Sequence, residues 1–349
     1  MVTGRAELAL RGGSWVKLIC GASNQDLPSI SDLCALYACA GVHCVDVAAD
    51  PAVVRAARLG LSWAAARGAP AVWLMVSISD GRDAHFRKAQ FDPRCCPPDC
   101  ARPCERVCPA DAIPSHPDAV GVDLSRCYGC GRCLPACPLN LIQASDHLQT
   151  RDSLASLLRD LRPDAVEVHT SPGRAQEFAD TIASLMQASI PLQRLSVSCG
   201  MEGHALSSDA LARELWQRHA VLRRHRLRPL WQLDGRPMSG DVGRGTARAA
   251  VHLWQQLRPL APPGPLQLAG GTNAGTRSVL QTLDLSPEVG PAGIAFGGQA
   301  RALVQPWLQG AMERGQTLTA WPEGWTAALA QARALVHPWA RTQAPSHPC

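Results

Sequence analysis

The sequence predicts an α/β protein built as a (β/α)8-like barrel, with a cysteine-rich insertion after the third strand. Three observations carry this reading. Eight short β-branched apolar runs alternate with longer helical patterns along the chain. Several of those runs are apolar almost throughout, as strands of a sheet buried on both faces must be. One segment, residues 82–146, breaks the rhythm with cysteine and proline and has almost no periodicity. Strand and helix in strict alternation argue for parallel βαβ units, and a closed barrel is the commonest fold that uses eight; an open doubly wound sheet is the alternative.

In chain order, the run Val16–Cys20 is followed by a helical pattern over Ile30–Ala40, His43–Ala48 by Ala52–Arg67, and Ala71–Ile78 by the insertion and then a helix over Ser153–Leu161. The next units pair Ala165–His169 with Arg174–Ala188, Gln193–Ser198 with Ser208–Arg223, and Pro229–Leu233 with Ala247–Leu257. Pro265–Ala269 with Thr276–Leu283 and Ala292–Phe296 with Arg301–Arg314 complete the alternation. The basic run Arg218, His219, Arg223, Arg224, His225, Arg226 and Arg228 closes a predicted helix, where cations suit the negative end of the dipole. Residues 1–81 and 147–340 thus form the barrel and 82–146 the insertion, while the tail 341–349, with Pro345, His347, Pro348 and Cys349, is expected to fray. No internal repeat is visible beyond the βα alternation.

The 349 residues suffice for roughly two domains, or one barrel carrying an insertion, at about 150 residues per domain. With 46% hydrophobic and 18% charged residues the chain is expected to be globular rather than disordered. No apolar run is long enough for a spanning helix, the best stretch, Leu33–Ala49, being interrupted by His43 and Asp46. The segment Met1–Trp15 has no apolar core of a secretory signal, so a cytoplasmic location is expected. A net charge of +5, almost all of it on arginine, does not ask for a nucleic-acid partner. Fifteen cysteines in such a chain favour metal ligation over disulfides.

Cys127, Cys130, Cys133 and Cys137 with Pro138 form C-x2-C-x2-C-x3-C-P, the iron-sulfur ligand run of bacterial ferredoxins. Thiolates two residues apart can wrap one face of a 4Fe-4S cluster, while Gly129 and Gly131 free the backbone to turn its amides towards the sulfurs. Upstream, Cys100, Cys104 and Cys108 with Pro109 reproduce the closing C-x3-C-P, with Cys95 and Cys96 just before. Cys108 and Cys127 lie nineteen positions apart, a separation that resembles compact two-cluster ferredoxins. That resemblance implies crossed ligation: Cys108, Cys127, Cys130 and Cys133 on one 4Fe-4S cluster, and Cys96, Cys100, Cys104 and Cys137 on a second. The second is either 4Fe-4S or, if a ligand is displaced, 3Fe-4S, and either Cys95 or Cys96 supplies its first thiolate. Paired zinc sites are the competing reading, but these usually come as two C-x2-C pairs with a long spacer. Arg102, Arg106, Arg126 and Arg132 flank the ligands; they either serve solubility or raise the potential of a cluster.

Elsewhere, Cys34, Cys39 and Cys44 read as core thiols, whereas Cys20 and Cys199 close strands and form a candidate redox pair at the barrel mouth. The seventh strand runs into Gly270, Gly271, Thr272 and Asn273, and the eighth into Gly297 and Gly298. Loops at these places bind phosphate in many barrels, so they are candidates for a flavin or phosphate ligand, or simply tight turns. Lys17, Asp46, Asp50, Asp80, His169, Glu202 and Asp234 are further candidates at strand ends.

Several segments together carry a family resemblance: SWVKLICGAS from Ser14, VDVAADPAVV from Val45, HFRKAQFDPRCCPPDCARPCERVCPADAI from His85, RCYGCGRCLPACPL from Arg126 and LQLAGGTNAGT from Leu266. They resemble the cyanobacterial light-dependent period family (LdpA), iron-sulfur proteins of circadian clock input, over nearly the whole chain. The resemblance implies two iron-sulfur clusters and a part in relaying redox or light state to the clock. Clock and clock-input proteins are then the expected partners, with ferredoxin or a quinone as the redox partner. It implies no catalytic residue in the barrel, so a redox sensor is expected rather than an enzyme. The alternatives are an iron-sulfur oxidoreductase whose barrel binds a flavin or phosphorylated substrate, and a bare electron carrier.

Overall fold

All eight predicted strands form, and they pair in parallel in a register that closes on itself. The computed structural model describes residues 4–21, 27–82, 86–114, 121–146, 151–200, 206–236, 243–283 and 289–340. In order these give α1 (Arg5–Arg11), β1 (Trp15–Gly21), α2 (Leu27–Ala40), β2 (Cys44–Ala48), α3 (Pro51–Ala65), β3 (Trp73–Ser79), β4 (Arg87–Gln90), α4 (Pro103–Arg106), α5 (Cys133–Ala136) and β5 (Gln143–Asp146). Then come α6 (Arg151–Leu161), β6 (Ala165–His169), α7 (Ala175–Met186), β7 (Arg194–Cys199), α8 (Ser208–Arg224), β8 (Pro229–Asp234), α9 (Ala247–Leu257), β9 (Leu266–Ala269), α10 (Thr276–Gln281), β10 (Gly293–Phe296), α11 (Gly298–Glu313) and α12 (Pro322–Ala340). The barrel order is β1-β2-β3-β6-β7-β8-β9-β10 and back to β1. No helix among the described residues is long and apolar enough to cross a membrane.

Strand alternation explains the layers. Val45, Val76, Val166, Val197, Leu233, Leu268 and Ile294 point outwards and are buried under the helices. The alternate residues point to the barrel axis. At the N-terminal end these are Trp15, Cys44, Met75, Ala165 and Leu230, and α1 closes that end with Ala6, Ala9 and Leu10. Glu7 of α1 is clamped by Arg194 at 2.5 Å and by Arg228.

Two terminal helices lie outside the predicted alternation, α1 and α12. The latter presents Ala328, Ala332, Leu335, Val336 and Trp339 to the core. Its approach is fixed by Asp32 of α2, whose carboxylate accepts from the N–H groups of Leu318 (2.8 Å) and Thr319 (3.2 Å). Within the insertion, β4 and β5 pair antiparallel from Arg87↔Asp146 to Gln90↔Gln143, so the segment leaves and rejoins the barrel at adjacent points. It has its own small core of Ala89, Phe91, Ala112, Ile113, Val122 and Ile142 packed with cysteines. Tyr128 crosses from it into the main core. Lys88 also ties it down, donating to the carbonyl of Leu124 (2.6 Å) and lying 3.8 Å from Asp50. The expected frayed tail, 341–349, lies outside the described residues.

Candidate metal centre

In the C-x2-C-x2-C run, Gly129 and Gly131 adopt φ of 83° and 77°, left-handed backbone that a side chain would strain. The chain therefore coils tightly enough to bring Cys127, Cys130 and Cys133 to one pocket, whose wall also includes Cys108. Ala89, Ala110, Ala112, Ile113, Val122 and Tyr128 complete the lining, which is almost wholly apolar. The Ala112 N–H donates to Cys108 Sγ at 3.3 Å. Burial, reinforced by the neighbouring Cys127, Cys130 and Cys108, pushes the Cys133 thiol up to about 12. Thiols so crowded hold their protons unless a positive centre takes the thiolates, which a metal does.

Cys137 does not share that pocket. It bears electrostatically on Cys96 and Cys104, and Cys100 bears on Cys96 as well. Burial would raise the Cys137 thiol, but the N–H groups of Leu141, Leu139, Ile142 and Asn140 hold it below its ordinary value. Of the adjacent pair, Cys95 is exposed and Cys96 is half-buried beside Cys100 and Cys137. The two halves of the insertion repeat one another. Short helices α4 and α5 each run into Cys-Pro, at Cys108-Pro109 and Cys137-Pro138, and a left-handed residue follows three positions after each cysteine, Asp111 (φ 47°) and Asn140 (φ 52°). The C-x3-C-P of both halves is visible in the sequence, and Ile113 and Ile142 match as well, five positions after the last cysteine of each.

The donor set fits an iron-sulfur cluster. Cys108, Cys127, Cys130 and Cys133 together line one small apolar pocket, and four thiolates around such a void can take the corners of a cluster. Of the flanking arginines, Arg102 pairs with Glu105, Arg126 lies 3.6 Å from Asp123, and Arg132 reaches Met312 Sδ of α11 at 3.9 Å.

Inside the barrel a second group of polar side chains comes together. Lys17 is fully buried on the axis and donates to Asp46 Oδ2 (2.9 Å) and Glu167 Oε2 (2.5 Å). Ser77 donates to Asp46 Oδ1 (2.6 Å), while Ser196 (2.7 Å) and Gln232 (2.8 Å) donate to Glu167. Gln267 links Gln232 (2.8 Å) to the Trp15 indole (2.5 Å). Nearer the mouth, His169 Nε2 is 3.3 Å from Glu167 Oε1, and Asp234 accepts from the Ser198 hydroxyl. Four of the strand-end candidates, Lys17, Asp46, His169 and Asp234, therefore meet. Glu167 escaped the sequence reading, although a carboxylate two residues before His169 in an otherwise apolar strand shares its inward face.

The remaining candidates do other things. Asp50 caps α3 through the N–H of Ala52 (2.9 Å), and Asp80 pairs with Arg174 (3.2 Å). Glu202 lies outside the described residues. Cys20 and Cys199 are not partners: Cys20 lies 3.7 Å from Cys34, and Cys199 faces the Gln232 carbonyl at 3.4 Å, because β1 and β7 are not neighbours and both thiols point out of the barrel. Of the core thiols, Cys34 and Cys44 are buried and Cys39 is half-buried. Gly270 and Gly271 have φ of 60° and 84° and turn tightly against Arg236 and Thr246. Thr272 donates to the Ala295 carbonyl (2.5 Å), and Asn273 is taken up by Gly243, Thr246, Gly275 and Thr276. Gly297 and Gly298 start α11.

Residues 157–338 match the family described as the light dependent period A C-terminal domain, and residues 96–148 the LdpA Fe-S cluster-binding domain. The chain is 48% identical over 325 residues to "Light dependent period A" of Synechococcus elongatus, covering 92% of this chain and 90% of that protein. A shorter match, 34% identical over 65 residues, covers 19% of this chain and 43% of an uncharacterized ferredoxin of Methanocaldococcus jannaschii. Among solved structures, the YdjI aldolase of Escherichia coli K12 aligns over 96% of this chain and 92% of that one, with 9% identity and a TM-score of 0.45.

Proposed function

The chain belongs to the light dependent period A family, and from that premise we propose that it is an iron-sulfur protein of light-dependent period control, passing the redox or light state of the cell to the clock through protein partners. The observation that carries this is the pocket that Cys108, Cys127, Cys130 and Cys133 line together. Those four thiolates hold one 4Fe-4S cluster. Cys96, Cys100, Cys104 and Cys137 hold a second, Cys95 remaining outside. The bound clusters supply one-electron transfer.

The protein's own residues do the rest. Gly129 and Gly131 let the backbone wrap the first cluster, the amides after Cys137 stabilise its thiolate, and the apolar lining keeps water from the first pocket. Tyr128, Lys88 and Arg132 join the insertion to the barrel, so a change of charge at the cysteines bears on a surface that partners can read. Clock and clock-input proteins are the partners in this reading, and ferredoxin or a quinone delivers the electrons.

The test is iron and acid-labile sulfide per chain in anaerobically purified protein, with EPR before and after dithionite. About eight irons and a silent oxidised sample mean two 4Fe-4S clusters; about seven, with an isotropic oxidised signal, mean one 3Fe-4S centre. Zinc in place of iron would overturn the reading. In a living cell, an unchanged light-dependent clock period on Cys130→Ser or Cys133→Ser would overturn the sensing role.

A further inference from the structure

The ionisable group inside the barrel has no part in holding the clusters, and its charges do not balance. Asp46, Glu167 and Asp234 supply three carboxylates against the single ammonium of Lys17. Lys17 serves Asp46 and Glu167 directly; Asp234, on β8, accepts from the Ser198 hydroxyl and Gln232 Nε2 (3.3 Å), while His169 and Lys17 act on it through their charge. His169, on β6, reaches Glu167 from the mouth side. The other ionisable groups bearing on this set are the buried thiol of Cys44, the outward Cys199 thiol on β7 with Arg218 beside it, and the Asp80–Arg174 pair at the rim. A buried surplus of negative charge is costly, and binding a proton is the cheapest way to relieve it. Burial, then the Glu167 carboxylate, raises Asp234 to about 6, within reach of ordinary cellular pH.

The insertion bears on this set. Phe86, just before β4, packs edge-on against the His169 ring with centroids 5.2 Å apart. Tyr128, between Cys127 and Cys130 in the chain, is buried in the apolar layer that the barrel's outward strand residues share with the helices, and Cys130 packs against that layer. We propose that His169 and Asp234, seated on the Lys17–Asp46–Glu167 core, form a proton-binding site linked to the redox state of the insertion. With a cluster held by Cys108, Cys127, Cys130 and Cys133, an electron given up by a reduced one-electron carrier would add one negative charge there, and the site would take one proton from solvent, one carboxylate becoming a carboxylic acid or one imidazole an imidazolium. Reoxidation returns the proton. The cause is Coulombic: negative charge added to the insertion, which touches the set through Phe86 and His169, raises the proton affinity of its buried acids.

The inference rests on the iron-sulfur reading above, and the experiment separates the two. The holoprotein is titrated anaerobically from pH 5.5 to 8. Its reduced-to-oxidised ratio at fixed potential should fall with rising pH, by up to about tenfold per unit for one proton per electron. Asp234→Asn should flatten that dependence and His169→Gln weaken it. Redox-difference infrared spectra of the unaltered protein should show a protonated carboxyl band appearing on reduction, a readout that needs no variant to fold. An iron-loaded protein with a pH-independent ratio and no carboxyl band overturns the proton site alone. Protein that binds no iron overturns both readings.

Discussion

Replacing Lys17 with methionine would leave Asp46 and Glu167 facing each other in the barrel with no counter-charge. Removing one partner of a buried ion pair costs about 3–5 kcal/mol, so a urea titration at pH 7 should show a loss of that order. The sign of its pH dependence follows. In the parent protein burial works against the Glu167 carboxylate, but Lys17 and His169 hold it down to about 2, so its stabilisation is complete above its unfolded value and fades as the pH falls towards 2. Without Lys17 the folded carboxylates bind protons more tightly than the unfolded ones. The deficit should then narrow as the pH is lowered from 7 to 5. At the cysteines, Cys96→Ser should lower the iron content and change the EPR signal, whereas Cys95→Ser, altering an exposed thiol, should leave both intact. The ligand run was legible because its chemistry is local: Cys127, Cys130 and Cys133 meet through two glycine turns. The approach of Cys137 to Cys96 and Cys104 spans over thirty residues, and only a resemblance could suggest it. Lys17, Asp46, His169 and Asp234 stood out as polar residues at strand ends, but Glu167 sits mid-strand, and Asp50 and Asp80 show that the same signal also marks caps and rim ion pairs.

The eight barrel strands were legible because outward residues such as Val45, Val166 and Leu268 need two buried faces and leave a dense apolar run. Helix α1 gave no such signal. Its two turns are too short for a clear period, and it is held by what it meets at the far end of the chain in three dimensions: Trp15, Met75 and Leu230 beneath Ala6, Ala9 and Leu10, and Arg194 and Arg228 around Glu7. Strands β4 and β5 were hidden likewise, being four residues each and polar. The anchor of α1 is open to test. Burial would raise Glu7, but Arg194 and then Arg228 and Arg11 hold it below its ordinary value. A depressed carboxylate stabilises the fold above its unfolded value of about 4.3 and loses that contribution as the pH falls through the lower, folded one. Glu7→Gln should therefore cost about 1–3 kcal/mol at pH 7 in chemical denaturation and flatten the acid limb of the stability profile, the two proteins converging in strong acid.

At the scale of the whole molecule, the barrel and the insertion are held by different forces. The barrel closes its own sheet and buries a continuous core under its helices, so it needs nothing bound in order to fold. Among its described residues the insertion buries Ala89, Phe91, Ala112, Ile113, Val122 and Ile142 beside its cysteines, with Tyr128 given to the barrel, and the described strands β4 and β5 pair over four residues. Apolar burial on that scale falls short of the conformational entropy of ordering the segment, as in other small domains stapled by metals. In the proposed reading, four thiolates on one cluster would supply the missing free energy and relieve the crowding that raises the Cys133 thiol. Removing the iron with a chelator under oxygen should therefore melt residues 86–146 selectively. Hydrogen exchange would show the amides around Cys108, Cys127 and Cys133 losing protection, while those of β1, β2 and β6 keep theirs. Because Tyr128 fills part of the barrel core and Phe86 covers His169, the loss should spread to the mouth-side ends of β3 and β6 and stop short of the layer that α1 closes. Uniform loss across both units would mean that the barrel depends on the clusters as well. No loss in the insertion would mean that its fold is independent of them, and that the cysteines had been packed for some purpose other than holding iron.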